Sequence, residues 1–297
     1  MPATQVHVAF ATPMQLGECP LWHAAEQALY WIDIPGKAVH RLHTPSKVHR
    51  SWPMSEEPGC IALHGDGGLL LALRDGLYRL DTESGAMTLL CVAPYDTSKL
   101  RFNDGRCDAS GRLWTGTIYE PRDQELGNLF CYDRGILRDA GHPVTTSNGV
   151  AFSNNQKRMY HANTPAHRIH VYDYDQASGS TSNARVFKQF DSDKSAPTYG
   201  GRPDGAAVDS EDAYWCAMFE GGRVLRLSGT GEILQEIQVP ARCPTMIAFG
   251  GDDLRTLYIT TGRKGRSEQE LQQYPLSGCV FSVRVEVAGR LEYPYRS

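Results

Sequence analysis

The sequence predicts an all-β fold, a six-bladed β-propeller. The first observation is a repeat made of a short segment with Gly or Pro, a few apolar residues, a polar turn and a strand rich in Leu, Tyr or Trp. The second is that a further strand follows most of these units after another turn. The third is the spacing of roughly 40 to 55 residues, which is typical of propeller blades. The six repeats read GECPLWHAAEQALYWIDI, PGCIALHGDGGLLLAL, NDGRCDASGRLWTGT, SNGVAFSNNQKRMYHAN, PDGAAVDSEDAYWCAM and CPTMIAFGGDDLRTLYIT.

The repeats predict a single domain that spans residues 1–297. One blade cannot bury both of its faces, so six blades pack radially around a central channel and leave no sequence for a second domain. A short β-rich run, Val6 to Phe10, precedes the first repeat. We expect this run to pair with the last blade as its outer strand and to close the ring. Trp31, Trp114 and Trp215 recur at equivalent strand positions, which predicts packing inside the blades.

Composition and charge exclude several classes of function. A net charge of −4 and a pI of about 6.2 argue against a nucleic-acid partner. No apolar run approaches the roughly 18 residues of a transmembrane helix, and the N-terminus lacks the pattern of a signal peptide. The eight cysteines contain no C-x-x-C pair, which indicates reduced and mostly buried thiols. We therefore expect a soluble cytoplasmic protein without a membrane partner, in which the basic stretch Gly262 to Arg266 is a solvated loop.

Polar residues precede or begin the first strand of several repeats, where a propeller brings them together near the channel mouth. They are Glu18, Asn103 with Asp104, Asn148 and Asp204. Carboxylate and amide oxygens that converge on one axis are ligands of hard divalent cations, so the pattern favours a metal site. The alternative is that Asn-Gly and Asp-Gly serve only as turns, although Glu18 is not a turn residue.

The motifs LGECPLW, RFNDGRCD, GRLWTGT, SNGVAFS, RPDGAAVD, GGRVLRL and FGGDDLRTLYITT follow one another along nearly the whole chain. In this order they resemble the senescence marker protein/gluconolactonase family, which includes regucalcin and the bacterial sugar lactonases. The resemblance implies a six-bladed propeller that binds one divalent cation at the channel mouth. It also implies hydrolysis of cyclic esters, mostly aldonolactones.

The resemblance assigns three metal ligands. The Glu of the family's G-E-x-P motif falls on Glu18, the Asn of S-N-G on Asn148, and the Asp of P-D-G on Asp204. Three ligands leave coordination positions open for water and substrate, as a catalytic site requires. Asp204 is also the candidate catalytic base, since a carboxylate can hold the metal with one oxygen and accept a proton at the other. The expected cation is Ca²⁺ or Zn²⁺, with Mg²⁺, Mn²⁺ and Fe²⁺ as further candidates.

The resemblance also assigns substrate contacts. The Arg and Asn of the R-F-N-D-G motif fall on Arg101 and Asn103, which would position ring hydroxyls or stabilise the developing oxyanion. The family often has an acidic residue after G-T-x that contacts sugar hydroxyls. Here Glu120 is the candidate, although in some relatives the acid lies one position later, where this chain has Pro121.

The expected substrate is a small sugar lactone, such as a glucono-, xylono-, arabinono- or galactonolactone, which is opened to the aldonic acid. Two alternatives remain open. One is hydrolysis of other esters or organophosphates at the same metal site, which predicts a more apolar pocket. The other is a non-catalytic calcium-binding propeller. A closed propeller buries its own sheet edges, so we expect a monomer or a weak homodimer.

Overall fold

The computed structural model describes residues 5–297. These residues form 24 strands and one short helix. In chain order the elements are β1 (Val6–Phe10), β2 (Gly17–His23), β3 (Ala28–Asp33), β4 (Ala38–His43), β5 (Val48–Pro53), β6 (Pro58–Leu63), β7 (Leu69–Leu73), β8 (Gly76–Leu80), β9 (Met87–Val92), β10 (Leu100–Cys107), β11 (Leu113–Tyr119), β12 (Leu129–Asp133), β13 (Ile136–Asp139), β14 (Ser147–Phe152), β15 (Arg158–Asn163), β16 (Arg168–Asp175), β17 (Ser180–Gln189), β18 (Arg202–Val208), β19 (Tyr214–Phe219), β20 (Arg223–Leu227), β21 (Ile233–Gln238), β22 (Pro244–Gly250), β23 (Thr256–Thr261), α1 (Glu268–Gln273) and β24 (Val280–Arg284).

Within the described residues the strands form six four-stranded antiparallel sheets, and each sheet is one blade of a β-propeller. Five blades are simple meanders: β2–β5, β6–β9, β10–β13, β14–β17 and β18–β21. The sixth blade has the order β22, β23, β24, β1, so it joins strands from both ends of the chain. The predicted all-β, six-bladed β-propeller is confirmed.

The ring closes as the sequence predicts. Strand β1 pairs antiparallel with β24, with Val6 opposite Val283 and Phe10 opposite Val280. The backbone hydrogen bonds of β1 therefore satisfy the outer edge of the last blade, and an unpaired sheet edge at this seam is avoided. The closure ties the start of the chain to its last strand.

The three tryptophans pack inside the blades, as expected. Trp31, Trp114 and Trp215 are all at most 1% exposed. The indole N–H of Trp114 donates to a carboxylate oxygen of Asp108 at 3.1 Å, and that of Trp215 donates to Asp209 at 2.8 Å. These two carboxylates satisfy the indoles of Trp114 and Trp215, whereas the indole nitrogen of Trp31 has no hydrogen-bond partner in the described residues.

Every inner strand carries a β-bulge, an extra residue with no counterpart on the neighbouring strand. A bulge bends its strand and re-aims the side chains beside it. The six bulges lie at equivalent positions, near the start of each inner strand. The register shifts fall between Glu18 and Leu21, Pro58 and Cys60, Phe102 and Gly105, Asn148 and Ala151, Pro203 and Ala206, and Pro244 and Met246.

The C-terminal segment, residues 285–297, crosses the end of the channel where the inner strands finish. The Tyr295 N–H donates to Leu63 O at 2.7 Å, and the Arg296 N–H donates to Gly111 O at 2.9 Å. Glu292 of this segment forms an ion pair with Arg106 of β10, whose side chain is only 5% exposed. The segment therefore covers the channel end opposite the strand starts.

The short helix α1 was not predicted from the sequence. It begins after Ser267, whose hydroxyl accepts a hydrogen bond from the Glu270 N–H at 3.2 Å, an ordinary N-cap. The helix follows the basic stretch Gly262 to Arg266, and Arg266 forms an ion pair with Glu270 at 2.6 Å. No helix among residues 5–297 has the length and apolar character needed to cross a membrane.

Candidate active site

A cavity of about 520 Å³ opens at the channel end where the inner strands begin. Its wall mixes carboxylates, guanidinium groups, amides and a few apolar side chains. The structure places all six of the predicted site residues on this one wall. They are Glu18, Arg101, Asn103, Glu120, Asn148 and Asp204.

The bulge in β2 aims Glu18 at the cavity. Cys19 has a positive φ of 46°, which is costly for a residue other than Gly. Its thiol forms two hydrogen bonds with Ile61 on the next blade. The thiol sulfur accepts from the Ile61 N–H at 3.3 Å, and the thiol donates to Ile61 O at 3.4 Å. The Cys19 N–H donates to a Glu18 carboxylate oxygen at 3.2 Å. The buried thiol thus helps to hold the bulge that orients Glu18.

The bulge in β14 requires Gly149 directly after Asn148. Gly149 has a φ of 60°, and a Cβ at this position would lie 2.4 Å from Tyr214 Oη and 3.0 Å from Asp204 O. The Tyr214 hydroxyl in turn donates to Gly149 O at 2.8 Å. The Gly of the S-N-G motif therefore permits the close approach of two blades and brings Asn148 beside Asp204.

Two buried carboxylates, Glu18 and Asp204, line the floor of the cavity, and a third, Asp104, is buried close to both. Burial first, and then repulsion from Asp204 and Asp104, raises the pKa of Glu18 well above its usual range. Burial and the Asp104 charge raise the pKa of Asp204 in the same way. Burial also raises the pKa of Asp104 to about 6, although Arg106 opposes the shift. Like charges held together in a low-dielectric site favour a bound cation, which would relieve this repulsion.

Glu18, Asn148 and Asp204 provide a donor set that suits a divalent cation, two carboxylates and one amide oxygen. Within residues 5–297, no group of three His, Cys, Asp or Glu side chains is arranged to hold a metal. Asp104 therefore does not form an all-acidic set of three with Glu18 and Asp204. Neither oxygen of Asp104 has a hydrogen-bond partner in the described chain.

A chain of side-chain hydrogen bonds fixes the orientation of Asn148. Arg101 Nη1 donates to Asn103 Oδ1 at 3.0 Å, and Asn103 Nδ2 donates to Asn148 Oδ1 at 2.8 Å. Asn148 Nδ2 donates to Thr164 Oγ1 at 2.7 Å, and Thr164 Oγ1 donates to Pro203 O at 2.8 Å. Thr164 was not singled out from the sequence. The only signal for it was its position just after β15, the strand that pairs with β14.

Glu120 lies on the cavity wall in an arginine cluster. Arg74 holds both of its carboxylate oxygens, at 2.9 and 3.0 Å, and Arg101 Nε lies 3.6 Å away. Partial burial raises the pKa of Glu120, but the hydrogen bonds and charge of Arg74 outweigh it, so the net shift is downward. Glu120 is therefore an ionised hydrogen-bond acceptor at the cavity.

In the basic stretch before α1, Lys264 and Gly265 are exposed, as the sequence predicts for a solvated loop, but the stretch also borders the cavity. Lys264, Gly265 and Arg266 line the cavity, and the Lys264 N–H donates to Gln15 O at 2.8 Å. Arg266 also pairs with Glu220 at 3.0 Å. Propeller closure brings this loop back to the cavity, a long-range effect with no signal in the local sequence.

Other cations on the wall were also missed. Lys194, Arg202 and Arg266 all form ion pairs with Glu220, at 2.9, 3.1 and 3.0 Å. Arg122, in the loop between β11 and β12, lines the cavity as well. Arg202 begins β18 within the RPDGAAVD motif, whereas Arg122, Lys194 and Arg266 come from separate loops, so only the fold reveals that all four belong to one site.

Comparison with known protein families identifies one match. Residues 16–263 match the family model described as "SMP-30/Gluconolactonase/LRE-like region". A 6-deoxy-6-sulfogluconolactonase from Pseudomonas putida is 46% identical over 281 residues, which cover 94% of this chain and 94% of the relative. Regucalcin from Sus scrofa is 30% identical over 287 residues, which cover 94% of each chain.

A solved structure shares the fold. The crystal structure of a calcium-binding protein, regucalcin, from Agrobacterium tumefaciens matches with a TM-score of 0.93 at 29% identity, over 99% of this chain and 98% of that one. The names of the relatives agree with the sequence-based prediction of a lactone-hydrolysing enzyme. Since the family model spans most of the sequence, this chain belongs to the SMP-30/gluconolactonase family.

Proposed function

We propose that this protein is a divalent-metal-dependent hydrolase of sugar lactones, which it opens to aldonic acids. The observation that carries the proposal is the floor of the cavity, where the buried acids Glu18 and Asp204 lie beside the oriented amide Asn148. Buried carboxylates without an opposite charge are costly, so a cation at this point accounts for an arrangement that folding alone would disfavour.

The proposed metal ligands are Glu18, Asn148 and Asp204. A bound divalent cation polarises an ester carbonyl and lowers the pKa of water. Asp204 takes the proton from the attacking water and passes it to the ring oxygen as the carbon–oxygen bond of the lactone breaks. A carboxylate that holds the metal with one oxygen can accept the proton at the other.

Arg101, Asn103 and Glu120 are the proposed substrate residues, with a division of roles. Arg101 is buried and uses Nη1 for Phe102 O and Asn103 Oδ1, which leaves Nη2 for a substrate oxygen. Both hydrogens of the Asn103 amide are used, by Ser147 O at 2.9 Å and by Asn148 Oδ1. Asn103 therefore chiefly orients Asn148, whereas the ionised Glu120 accepts hydrogen bonds from sugar hydroxyls.

The substrate class follows from the size and polarity of the cavity. About 520 Å³ is ample for a single sugar ring, and the charged wall suits a polyol better than an apolar ester. Glucono-, xylono-, arabinono- and galactonolactones are candidates. The Pseudomonas putida relative, named a 6-deoxy-6-sulfogluconolactonase, adds a sulfonated gluconolactone to them.

The proposal is tested by following proton release from a lactone panel with a pH indicator. The protein is assayed as purified, after removal of metal with a chelator, and after each candidate cation is restored. We expect hydrolysis well above the spontaneous rate, its loss on chelation, and its return with one or more cations. Hydrolysis that persists at full rate in the metal-stripped protein would reject metal dependence. Background rates with every lactone and cation would reject the lactonase.

A second candidate is a calcium-binding propeller without catalysis, which the similarity to the calcium-binding regucalcin of Agrobacterium tumefaciens favours. Calcium binding with no lactone turnover would support it.

Four further properties stay predictions. They are a cytoplasmic location, a single domain over residues 1–297, the lack of nucleic-acid or membrane partners, and a monomeric or weakly dimeric state.

A further inference from the structure

The cavity wall carries more positive than negative side chains once the proposed metal ligands are set aside. Glu57, Glu120 and Glu220 are its acids. Arg74 pairs with Glu57 at 2.6 Å and also holds Glu120. The six cations of the wall are Arg101, Arg122, Lys194, Arg202, Lys264 and Arg266.

Four of these six cations have an acidic partner. Lys194, Arg202 and Arg266 share the single carboxylate of Glu220, and Arg101 lies within ion-pair distance of Glu120. The side chain of Glu220 is only 12% exposed, and burial raises its pKa while the three cations lower it to about 2. Arg266 has a second partner in Glu270, so two carboxylates offset three cations on this part of the wall.

Arg122 and Lys264 are different, because neither forms an ion pair within the described residues. Their backbones are nevertheless anchored. The Arg122 N–H donates to Tyr119 O at 3.0 Å, and the Lys264 N–H donates to Gln15 O at 2.8 Å. The Arg122 charge acts on Asp204 and the Lys264 charge acts on Glu120, so both lie near the site.

Unpaired cations are not what a neutral sugar requires. Hydroxyl groups are held by carboxylates and paired guanidinium groups, which the wall already supplies through Glu120 and Arg101. Unpaired cations at the mouth of a cavity instead attract anions and select them from neutral competitors. The excess positive charge therefore indicates a second requirement of the substrate.

We propose that Arg122 and Lys264 form a subsite for an anionic group of the substrate. This inference rests on the proposed function and adds to it the class of substrate, an acidic sugar lactone. The shared chemistry is a sulfonate, phosphate or carboxylate, whose oxygens accept charge-assisted hydrogen bonds from the guanidinium and the ammonium groups.

The test compares matched lactones that differ in the terminal group. They are glucono-1,5-lactone and its derivatives with a 6-sulfonate, a 6-phosphate or a 6-carboxylate. The measured quantity is the ratio of kcat/KM for each anionic lactone to kcat/KM for the neutral one. The variants are Arg122→Gln, Lys264→Gln and the double variant, with Arg122→Lys and Lys264→Arg to retain charge.

We expect the wild-type ratio to exceed one and to fall as the salt concentration rises. Each single Gln substitution lowers the kcat/KM ratio about fivefold, and the double variant lowers it at least about tenfold. The charge-retaining variants lower the ratio less. Arg134→Gln is the matched control, because Arg134 is 75% exposed and pairs only with Asp133 on the rim of the third blade. It leaves the ratio unchanged. The anionic lactone whose kcat/KM ratio falls most in the double variant identifies the anionic group that the subsite binds.

A binding experiment separates failure of the subsite from failure of the proposed function. Calorimetry on the metal-loaded protein compares the dissociation constants of gluconate and 6-phosphogluconate, which differ only at the terminal group. Equal dissociation constants for the two ligands would overturn the proposed subsite even if lactones are hydrolysed. So would a difference between the two dissociation constants that persists in the double variant. A difference that depends on Arg122 and Lys264 supports the subsite even if no lactone is opened, in which case only the lactonase falls.

Discussion

Asn103 Nδ2 donates a hydrogen bond to Asn148 Oδ1 at 2.8 Å, and this contact links a proposed substrate residue to a proposed metal ligand. On the other side of the same amide, Thr164 Oγ1 accepts from Asn148 Nδ2. Asn148 is therefore held from both ends, by a donor on its oxygen and an acceptor on its nitrogen. Such supporting contacts orient metal ligands and tune their affinity.

Removing the Thr164 hydroxyl should weaken cation binding. Thr164→Val keeps the shape of the side chain but leaves Asn148 Nδ2 without its acceptor, so the amide can rotate. We expect the dissociation constant for the divalent cation to rise about tenfold, in line with losses at other supporting residues. Calorimetric titration of the metal-stripped protein measures it, and Thr164→Ser should bind nearly as wild type. Equal affinity of the Val variant would show that Thr164 does not orient Asn148.

Replacing Asp204 should abolish most of the activity. Asp204→Asn keeps the size of the side chain but removes the charge that holds the metal and the site that accepts the proton. We expect kcat/KM for the best lactone to fall by at least about a hundredfold, the usual worth of a positioned base. Asp252→Asn, on an exposed turn, is the control. Full lactonase activity in Asp204→Asn would remove Asp204 as the base.

Breaking the ion pair at the far end of the channel should destabilise the fold. Glu292→Gln leaves the buried Arg106 guanidinium without its ionised partner on the C-terminal segment. Removing one partner of a buried pair costs about 3 kcal/mol or more of unfolding free energy. Chemical denaturation followed by tryptophan fluorescence measures the loss. Glu286→Gln, an exposed change in the same segment, is the control. Similar unfolding curves for both variants would contradict this role of Glu292.

Acid should destabilise the protein through His161. Its Nε2 lies 2.7 Å from Ser147 Oγ, and burial, with the nearby His142 and His170 adding to it, lowers the pKa of His161 to about 3. Between that value and about 6.5 the unfolded chain binds a proton that the folded chain does not, so stability falls as the pH is lowered through this window. The loss for this residue is on the order of 3 kcal/mol by pH 4.

Thermal unfolding at pH 7 and pH 4 tests this prediction when wild type is compared with His161→Asn. The variant cannot take up the proton, so its melting temperature should fall less between the two pH values. His142 and His170 contribute in the same direction in both proteins, so the difference isolates His161. Parallel losses in the two proteins would show that His161 does not carry the effect.

The sequence predicts the fold because its information is local and repeated. Each repeat supplies a turn, two strands and a third strand, and six copies leave one way to bury their faces. The pairing of Val6 to Phe10 with the last blade was predictable for the same reason, since a closed ring needs a partner for that edge. The positions of Glu18, Asn148 and Asp204 on one wall follow from the repeat and from the family motifs.

The rest of the site depends on contacts between blades that no single repeat encodes. Thr164 and Arg122 lie outside the shared motifs, and their places follow from how loops of different length fold over the channel mouth. The sequence predicts that the basic loop with Lys264 is solvated, but it does not reveal that Gln15 holds the backbone of this loop beside the cavity. Loops carry the specificity that the scaffold leaves open.

The central claim is that one divalent cation, held by Glu18, Asn148 and Asp204, is required for lactone hydrolysis. The most direct measurement titrates one cation into metal-stripped wild type and into Glu18→Gln, recording bound metal and hydrolysis in the same samples. The account predicts that wild-type activity rises in proportion to occupancy and saturates at one ion per chain. It also predicts that Glu18→Gln binds the cation far more weakly and stays inactive at the same concentrations. Activity that is independent of occupancy, or a fully active Glu18→Gln variant without bound metal, would contradict it.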